Sequence, residues 1–372
     1  MHGGGLFPVP ECTNPVWPCA LTGAAAFLAG FRGLSVVIHG SSGCYYYPRS
    51  LIKAPLFGSF IMQDEVIFGT GDRLRSVISD VSKDSERVAV VTSCVPALMG
   101  EDLASELDGF SALLIDSPGF LGGAEAGYRI ASEVLLREAT VTTEGVNIGG
   151  ICLLDPFHRG NLHESRRLLA MAGIPVGAVI SYDRLDALSR LAPVTVYANP
   201  DYTASGYEGG TLLGFSAIKK TFSSLSGDPS SVLAECDWAE EMVIAVCEKY
   251  LRRNDPPNAA ICSQAGYAGF FADLLVRYLG SDTPLILRRN ETDLPAVTDY
   301  DQIADALHGD SYNLIIGSSY EAQMKPDAGF VGVTPPIRGR IVIGSRPLAG
   351  IEGVITAVEM ILNALMDKKK RV

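Results

Sequence analysis

The stretch Leu34-Ser-Val-Val-Ile-His39-Gly-Ser-Ser-Gly-Cys44 decides how this chain is read. Its apolar run over 34–38 reads as a buried parallel strand, and the turn over 40–43 delivers a cysteine at that strand's carboxyl end. A second such arrangement follows, a run over 88–91 and then Thr92-Ser-Cys94-Val-Pro. Cys19, in Cys19-Ala-Leu-Thr-Gly23, precedes both. Ligands of open α/β sheets bind at the carboxyl edge, so thiols gathered there point to an iron–sulphur cluster. A plainer reading stands beside it, because unmodified cysteine is among the most buried residue types and packs as a small hydrophobe. What sets these three apart is the glycine- and proline-rich turns around them, where backbone approaches a bulky group without a Cβ in the way.

Outward from that stretch, strand and helix signals alternate, which predicts parallel sheets with right-handed crossovers. We expect three doubly wound units, over 1–143, 144–255 and 256–372. The first opens on an arm with Pro8, Pro10, Pro15 and Pro18 that carries Cys12, Trp17 and Cys19 into a helix over 21–28. It continues through Tyr45-Tyr46-Tyr47, a helix ending near 81, and a helix expected to open at Pro96 with Glu101 and Asp102 in its first turn. A strand over 110–115, the turn over 117–123 and a helix to about 136 complete it. The second begins with a strand expected over 146–154, ending in Asp155-Pro-Phe-His158-Arg159. Strands over 176–180 and 194–197, helices over 161–172 and 184–191, and two amphipathic stretches over 209–223 and 231–250 follow. The third alternates strands over 259–262, 285–287 and 314–316 with helices over 266–279 and 302–308. In the last helix Ile351, Val354, Ile355, Val358, Ile361, Leu362 and Leu365 form one apolar stripe, expected to pack back on the first domain.

Composition sets bounds. At 372 residues with 47% apolar content the chain is long enough for two to three cored domains. A net charge of −12, with basic residues clustered only over 368–371, argues against a nucleic-acid backbone as partner. The start lacks the charged and apolar regions of a secretion signal, and no apolar run reaches the roughly 18 residues that span a bilayer. The expectation is a cytoplasmic protein. In a reducing compartment its eight cysteines are better explained by metal binding, catalysis or burial than by disulfides.

The motifs together resemble nitrogenase component 1, the family of molybdenum–iron protein subunits and dark-operative protochlorophyllide reductase subunits. The matching pieces run in order: Cys19-Ala-Leu-Thr-Gly, Val37-Ile-His-Gly-Ser-Ser-Gly-Cys44, Asp64-Glu-Val-Ile-Phe-Gly-Thr-Gly-Asp-Arg-Leu74, Thr92-Ser-Cys94-Val-Pro-Ala-Leu-Met-Gly-Glu-Asp102, Asn313-Leu-Ile-Ile-Gly-Ser-Ser-Tyr-Glu321 and Pro335-Pro-Ile-Arg338. Within the family, the run Asn14-Pro-Val-Trp-Pro-Cys-Ala-Leu-Thr-Gly-Ala-Ala-Ala26 is similar to the catalytic subunits of nickel-sirohydrochlorin a,c-diamide reductive cyclases, which serve the biosynthesis of coenzyme factor 430. The resemblance implies a nitrogenase molybdenum–iron protein-like fold and an ATP-dependent iron-protein partner with its own [4Fe-4S] cluster. It also implies a metal cluster between two like subunits, held by Cys19, Cys44 and Cys94. A homodimer would offer six such thiolates against the four that one [4Fe-4S] needs, and Cys12 on the same arm is a candidate substitute ligand. No Gly-x-x-x-x-Gly-Lys-[Ser/Thr] loop occurs here, so nucleotide hydrolysis falls to the partner. Cys262 does not reproduce the family's deeper cofactor site and reads as structural.

A nickel tetrapyrrole substrate, with carboxylate arms and flat faces, needs donors at its edge and an aromatic slot. Tyr45, Tyr46 and Tyr47 are candidates for the slot and Arg49 for a carboxylate, with packing the alternative role of the tyrosines and solvation that of Arg49. His158, past a strand end, is a candidate proton donor or a helix cap. His39 reads as a satisfied core histidine and Glu321 as a structural hydrogen-bonding group. Two rivals remain: a reductase of another tetrapyrrole or small molecule on this scaffold, and a non-catalytic carrier of a metallocluster.

Overall fold

A computed structural model describes residues 15–204, 208–309, 311–339 and 344–369. Within them the chain forms three α/β units, each around a four-stranded parallel sheet. The first sheet holds β1 (Leu34–His39), β2 (Phe57–Gly58), β3 (Arg87–Thr92) and β4 (Ala112–Asp116), in the order β2-β1-β3-β4. The second holds β5 (Val146–Gly149), β6 (Val176–Val179), β7 (Val194–Tyr197) and β8 (Glu208–Thr211), as β6-β5-β7-β8. The third holds β9 (Ala259–Ser263), β10 (Leu285–Arg288), β11 (Leu314–Gly317) and β12 (Gly329–Gly332), as β10-β9-β11-β12. One strand order thus recurs in all three. Each sheet reverses its winding between its first and third strands, and the crevice at that carboxyl edge is where such sheets take ligands.

Local chemistry explains the placement of the first unit. The β-branched run of β1 is buried on both faces and pairs with β3 in unbroken register from Leu34–Arg87 to His39–Thr92. The helix Ala20–Leu28 is buried along its whole length against the helix Ala124–Leu136. Glycine permits this closeness. A Cβ on Gly23 would sit 1.7 Å from the Ala124 carbonyl oxygen, and one on Gly127 would sit 1.7 Å from that of Ala20. The two helix starts are therefore side by side, with Cys19 bridged to Gly123 and the Ala20 N–H donating to the Gly122 carbonyl at 2.8 Å.

Several expectations need correction. The final helix, Gly350–Lys369, packs on β12 and on the helices His158–Met171 and Ser230–Leu251, in the second and third units and not on the first. Its apolar stripe joins a core shared by those two units, which runs from Val146 and Phe222 through Phe271 and Leu314 to Val354 and Ile361. The strand expected over 146–154 stops at Gly149, because Gly150 turns at φ 72° against Asn199. The helix expected from Pro96 divides: Gly100, left-handed at φ 70°, caps Cys94–Met99, and the Asp102 side chain starts Leu103–Glu106. Residues 184–191 hold a 3₁₀ segment, Leu185–Arg190. No helix among the described residues is long and apolar enough to cross a membrane.

Candidate metal centre

Cys44 and Cys94 stand just past β1 and β3, the strands that flank the switch point of the first sheet. Cys44 lies in the first turn of the helix Ser42–Leu51, Cys94 opens its own helix, and Cys19 is the N-cap of Ala20–Leu28. The turn after β4 closes over two of them. A Cβ on Gly119 would sit 3.2 Å from Cys19 Sγ and 3.3 Å from Cys94 Sγ, and the Gly119 N–H donates to Cys94 Sγ at 3.2 Å. A side chain there would press the two thiols aside by a few tenths of an ångström. Cys44 lies across Gly40, where a Cβ would come within 3.5 Å of Cys44 Cβ and 2.5 Å of Ser93 Cβ. The Ser41 hydroxyl donates to Cys44 Sγ at 3.5 Å, and Thr22 Oγ1 is 3.8 Å from Cys19 Sγ. These three thiols are half-buried, whereas Cys152, Cys236, Cys247 and Cys262 are buried. Cys12 lies outside the described residues.

The structure brings Cys19 and Cys94 together, while among the described residues no three Cys, His, Asp or Glu side chains converge on one metal position. The donor set nonetheless suits an iron–sulphur group. Its ligating atoms are soft sulphurs, and a backbone amide aims at one of them. Buried hydroxyls of Thr92, Ser93 and Ser117, at the carboxyl edges of β3 and β4, have no partner among the described residues. Burial pushes the Cys19 thiol up; hydrogen bonds from Thr22 and Leu21 oppose this, and neighbouring Cys94 adds to it. An iron ligand would offset that cost by taking the thiolate outright.

The other sequence candidates divide. Tyr45 is largely structural, its hydroxyl donating to the Leu56 carbonyl at 3.1 Å and its ring 4.9 Å from that of Phe60. Tyr46 and Arg49 are exposed on the same helix, flanking Cys44. Tyr47, the third residue of that aromatic run, is 45% exposed, and its phenol is pushed up to about 12 by the burial of its remaining surface and then by nearby Cys19 and Tyr320. It stands where the first and third units meet. His158 begins the helix His158–Met171, with Nδ1 2.7 Å from the Asp155 carbonyl and its ring 5.5 Å from Tyr182, both partners in the second unit. Glu321 completes a capping box with Ser318 and pairs with buried Arg289, the structural role expected of it. Burial pushes Cys262 up to about 12, in keeping with an inert core thiol.

A second set of residues, invisible as a motif, occupies the carboxyl edges of the other two sheets. Asp155 follows β5 and accepts from Tyr267 at 2.6 Å and from Asn161 and Asn199 at 3.3 Å. Asp201, after β7, accepts from the Gly266 N–H at 2.9 Å and from Asn290 at 3.0 Å, both in the third unit. Glu125 joins them from the first unit. All of these partners but Asn161 lie dozens of residues away, so no local spacing announces the set.

Three sheets of one strand order, with thiols at the first switch point, define the class, and the comparisons agree. The chain belongs to the nitrogenase component 1 type oxidoreductase family, whose model matches residues 19–212, just over half of it. It is 26% identical over 183 residues to the nitrogenase iron-molybdenum cofactor biosynthesis protein NifE of Clostridium pasteurianum, covering 44% of this chain and 40% of that one. It is 25% identical over 265 residues to the nitrogenase molybdenum-iron protein beta chain of Frankia alni, covering 62% of this chain and 48% of that one. The chain thus spans less than half the length of these curated relatives. The solved structure "Nitrogenase Cp1 at pH 6.5" superposes with a TM-score of 0.79 at 16% identity, covering 100% of this chain and 96% of that one. The expected molybdenum–iron protein-like fold is therefore the fold observed.

Proposed function

We propose that this chain is the catalytic subunit of a nitrogenase-like reductase, with Cys19, Cys44 and Cys94 holding an iron–sulphur cluster. The observation that carries the reading is the Gly119 turn, which sets two thiols against one glycine and aims its amide at a sulphur. When bound, such a cluster supplies low-potential one-electron transfer. The Gly119 N–H would stabilise charge on Cys94 sulphur, and the Ser93 and Ser117 hydroxyls, unpartnered among the described residues, would do likewise nearby. Since one chain gathers no complete ligand set among the described residues, a second copy completes it, giving a homodimer. Exposed Tyr46, Leu98 and Phe120, close to Cys44, Cys94 and Gly119 in sequence, support a partner on this face. An ATP-dependent iron protein delivers the electrons, and the cytoplasm is the setting.

For substrate we infer a nickel tetrapyrrole, reduced and cyclised in the manner of nickel-sirohydrochlorin a,c-diamide reductive cyclases. The run ending in Ala26 supports it, as do Tyr46 and Arg49, exposed beside Cys44. Tyr45 braces them, and His158 serves as proton donor at the second sheet's edge. A second reading, a scaffold on which a metal cofactor is assembled, is favoured by the likeness to a relative named for cofactor biosynthesis.

The test is anaerobic purification followed by iron, sulphide and electron paramagnetic resonance measurements on wild type and on Cys19→Ala, Cys44→Ala and Cys94→Ala. About four irons per pair of chains, lost in each folded variant, is expected for one shared [4Fe-4S]. A folded wild type that never takes up iron under reconstitution would sink the reading. Turnover with an ATP-dependent reductase separates the enzyme from the scaffold, which would instead pass its cluster intact to an acceptor.

A further inference from the structure

One side chain between the cysteines and the other two units is left without a role by the metal reading. Glu125, in the first turn of the helix Ala124–Leu136, has one carboxylate oxygen engaged by the arm of its own unit and the other by the third unit. Oε2 accepts from the Trp17 indole N–H at 3.1 Å, and Oε1 accepts from the Gln264 amide at 3.0 Å. The same amide donates to the Tyr202 hydroxyl at 2.7 Å. Trp17 belongs to the arm that presents Cys19, and that arm spans two units. Pro15 bridges to Asp299, and the Val16 N–H donates to the Thr298 carbonyl at 2.9 Å, in the third unit; Cys19 bridges to Gly123 in the first. Glu125 stands under the span.

We propose that Glu125 is a proton-responsive tether, a positioning residue that locks Trp17, and through it the arm carrying Cys19, onto the meeting point of the second and third units. Its bearing on a metal rests on Cys19 being a ligand; the tether itself does not.

The chemistry follows from the donors. An indole N–H and an amide N–H only donate, so an ionised carboxylate, an acceptor at both oxygens, satisfies both. A protonated carboxyl turns an O–H toward one of them and holds that donor poorly. Opposing ionisation is burial, then the Asp201 carboxylate, and together they push Glu125 up to about 7 against the pull of its own backbone N–H, Trp17 and Gln264. The groups around it are Trp17 from the arm, Cys152 and Asp155 from the edge of β5, Asp201 and Tyr202 from the edge of β7, and Gln264 from the edge of β9. Asp201 is itself pushed up to about 6, chiefly by burial. Across neutrality the tether passes from slack, protonated, to taut, ionised.

The metal-free chain tests this. Trp17 and Trp238 are its two tryptophans, and Trp238 is 58% exposed, so Trp238→Phe isolates the Trp17 emission at little structural cost. That emission is expected to titrate with a midpoint near pH 7. In Glu125→Gln, close in size but with a single acceptor oxygen, it stays at the acid-side value throughout. In Gln264→Leu, which removes a donor to the ionised form, the midpoint rises. Iodoacetamide alkylation at about pH 8, mapped by mass spectrometry, should modify Cys19 several-fold faster in Glu125→Gln while Cys94 keeps its rate. A flat wild-type emission between about pH 5.5 and 8.5 overturns the tether, as does a titration that survives in Glu125→Gln. Unchanged Cys19 reactivity overturns its coupling to the thiol. Since no readout involves iron, a chain that binds none would refute the metal reading and leave the tether intact.

Discussion

At the end of β1, His39 is fully buried between two hydroxyls, with Nδ1 3.0 Å from Ser59 Oγ and Nε2 2.8 Å from Thr70 Oγ1. Thr70 gives its own proton to Glu101, so it accepts from His39 Nε2–H; Ser59 accepts the Gly40 N–H at 3.1 Å, so its proton goes to Nδ1. The network thus assigns a neutral ring protonated at Nε2. Burial pushes its pKa down to about 4, against the pull of Glu101 and Glu65. A depressed histidine contributes stability that is whole above its ordinary pKa near 6.5 and is lost as pH falls toward 4, about 3 kcal/mol in all. We expect His39→Gln to flatten the fall in stability between those limits, read from urea midpoints taken across them; identical slopes would remove His39 as the cause. At this scale the site was half legible. Cys44 and Cys94 announced themselves because each follows a strand run, and Cys19 because it ends a proline-rich arm just ahead of a glycine-containing helix. Glu125, Asp155 and Asp201 did not, since a lone acid takes its meaning from partners in other units.

Elements were legible where they carry an apolar run. β1, β3 and β9 read directly, but β2 has two residues, and β8 and β12 are built on glycines that leave no alternating pattern. Helix ends were misplaced where one glycine decides them, as at Gly100 and Gly150. The helix pair Ala20–Leu28 and Ala124–Leu136 shows the same dependence inside an element. Glycine is a poor helix former, costing about 1 kcal/mol against alanine at an exposed position, so Gly23→Ala ought to stabilise on propensity alone. Packing reverses the sign. The added methyl would meet the Ala124 carbonyl oxygen, which belongs to a rigid helix and cannot swing aside. We expect Gly23→Ala to destabilise by about 1–3 kcal/mol or more and to lower the melting temperature. Because these helix starts set Cys19 beside Gly119, it should also weaken iron retention before the chain unfolds. A melting temperature at or above that of wild type would show that the helices can part at no cost.

The whole molecule repeats one strand order three times, yet its cores do not follow the repeat. The second and third units share their largest core, in which Phe271 of the helix Ala265–Leu279 is fully buried with Val146, Phe222 and Ile361. Smaller clusters around Ile315 and around Ala187 fill the other faces of their sheets. The first unit has cores of its own and borrows Cys152, Leu154, Ile180 and Tyr202 from the second along one side. Alternation of strand and helix revealed the repeat, because it is local. The merging of two cores was not visible, because the final helix that seals them carries the same apolar stripe whichever unit it covers. The consequence is cooperative. Truncating Phe271 to alanine removes about 3–5 kcal/mol of core packing. If the shared core is one folding unit, amide exchange should quicken together in β5, β7, β9 and β11, by a comparable factor, while β1 and β3 keep most of their protection. Hydrogen–deuterium exchange with mass spectrometry resolves these strands as separate peptides. Faster exchange confined to β9 and β11 would mean that the units open independently; the tether at Glu125 would then join two bodies free to move apart instead of bracing the first unit against a single block.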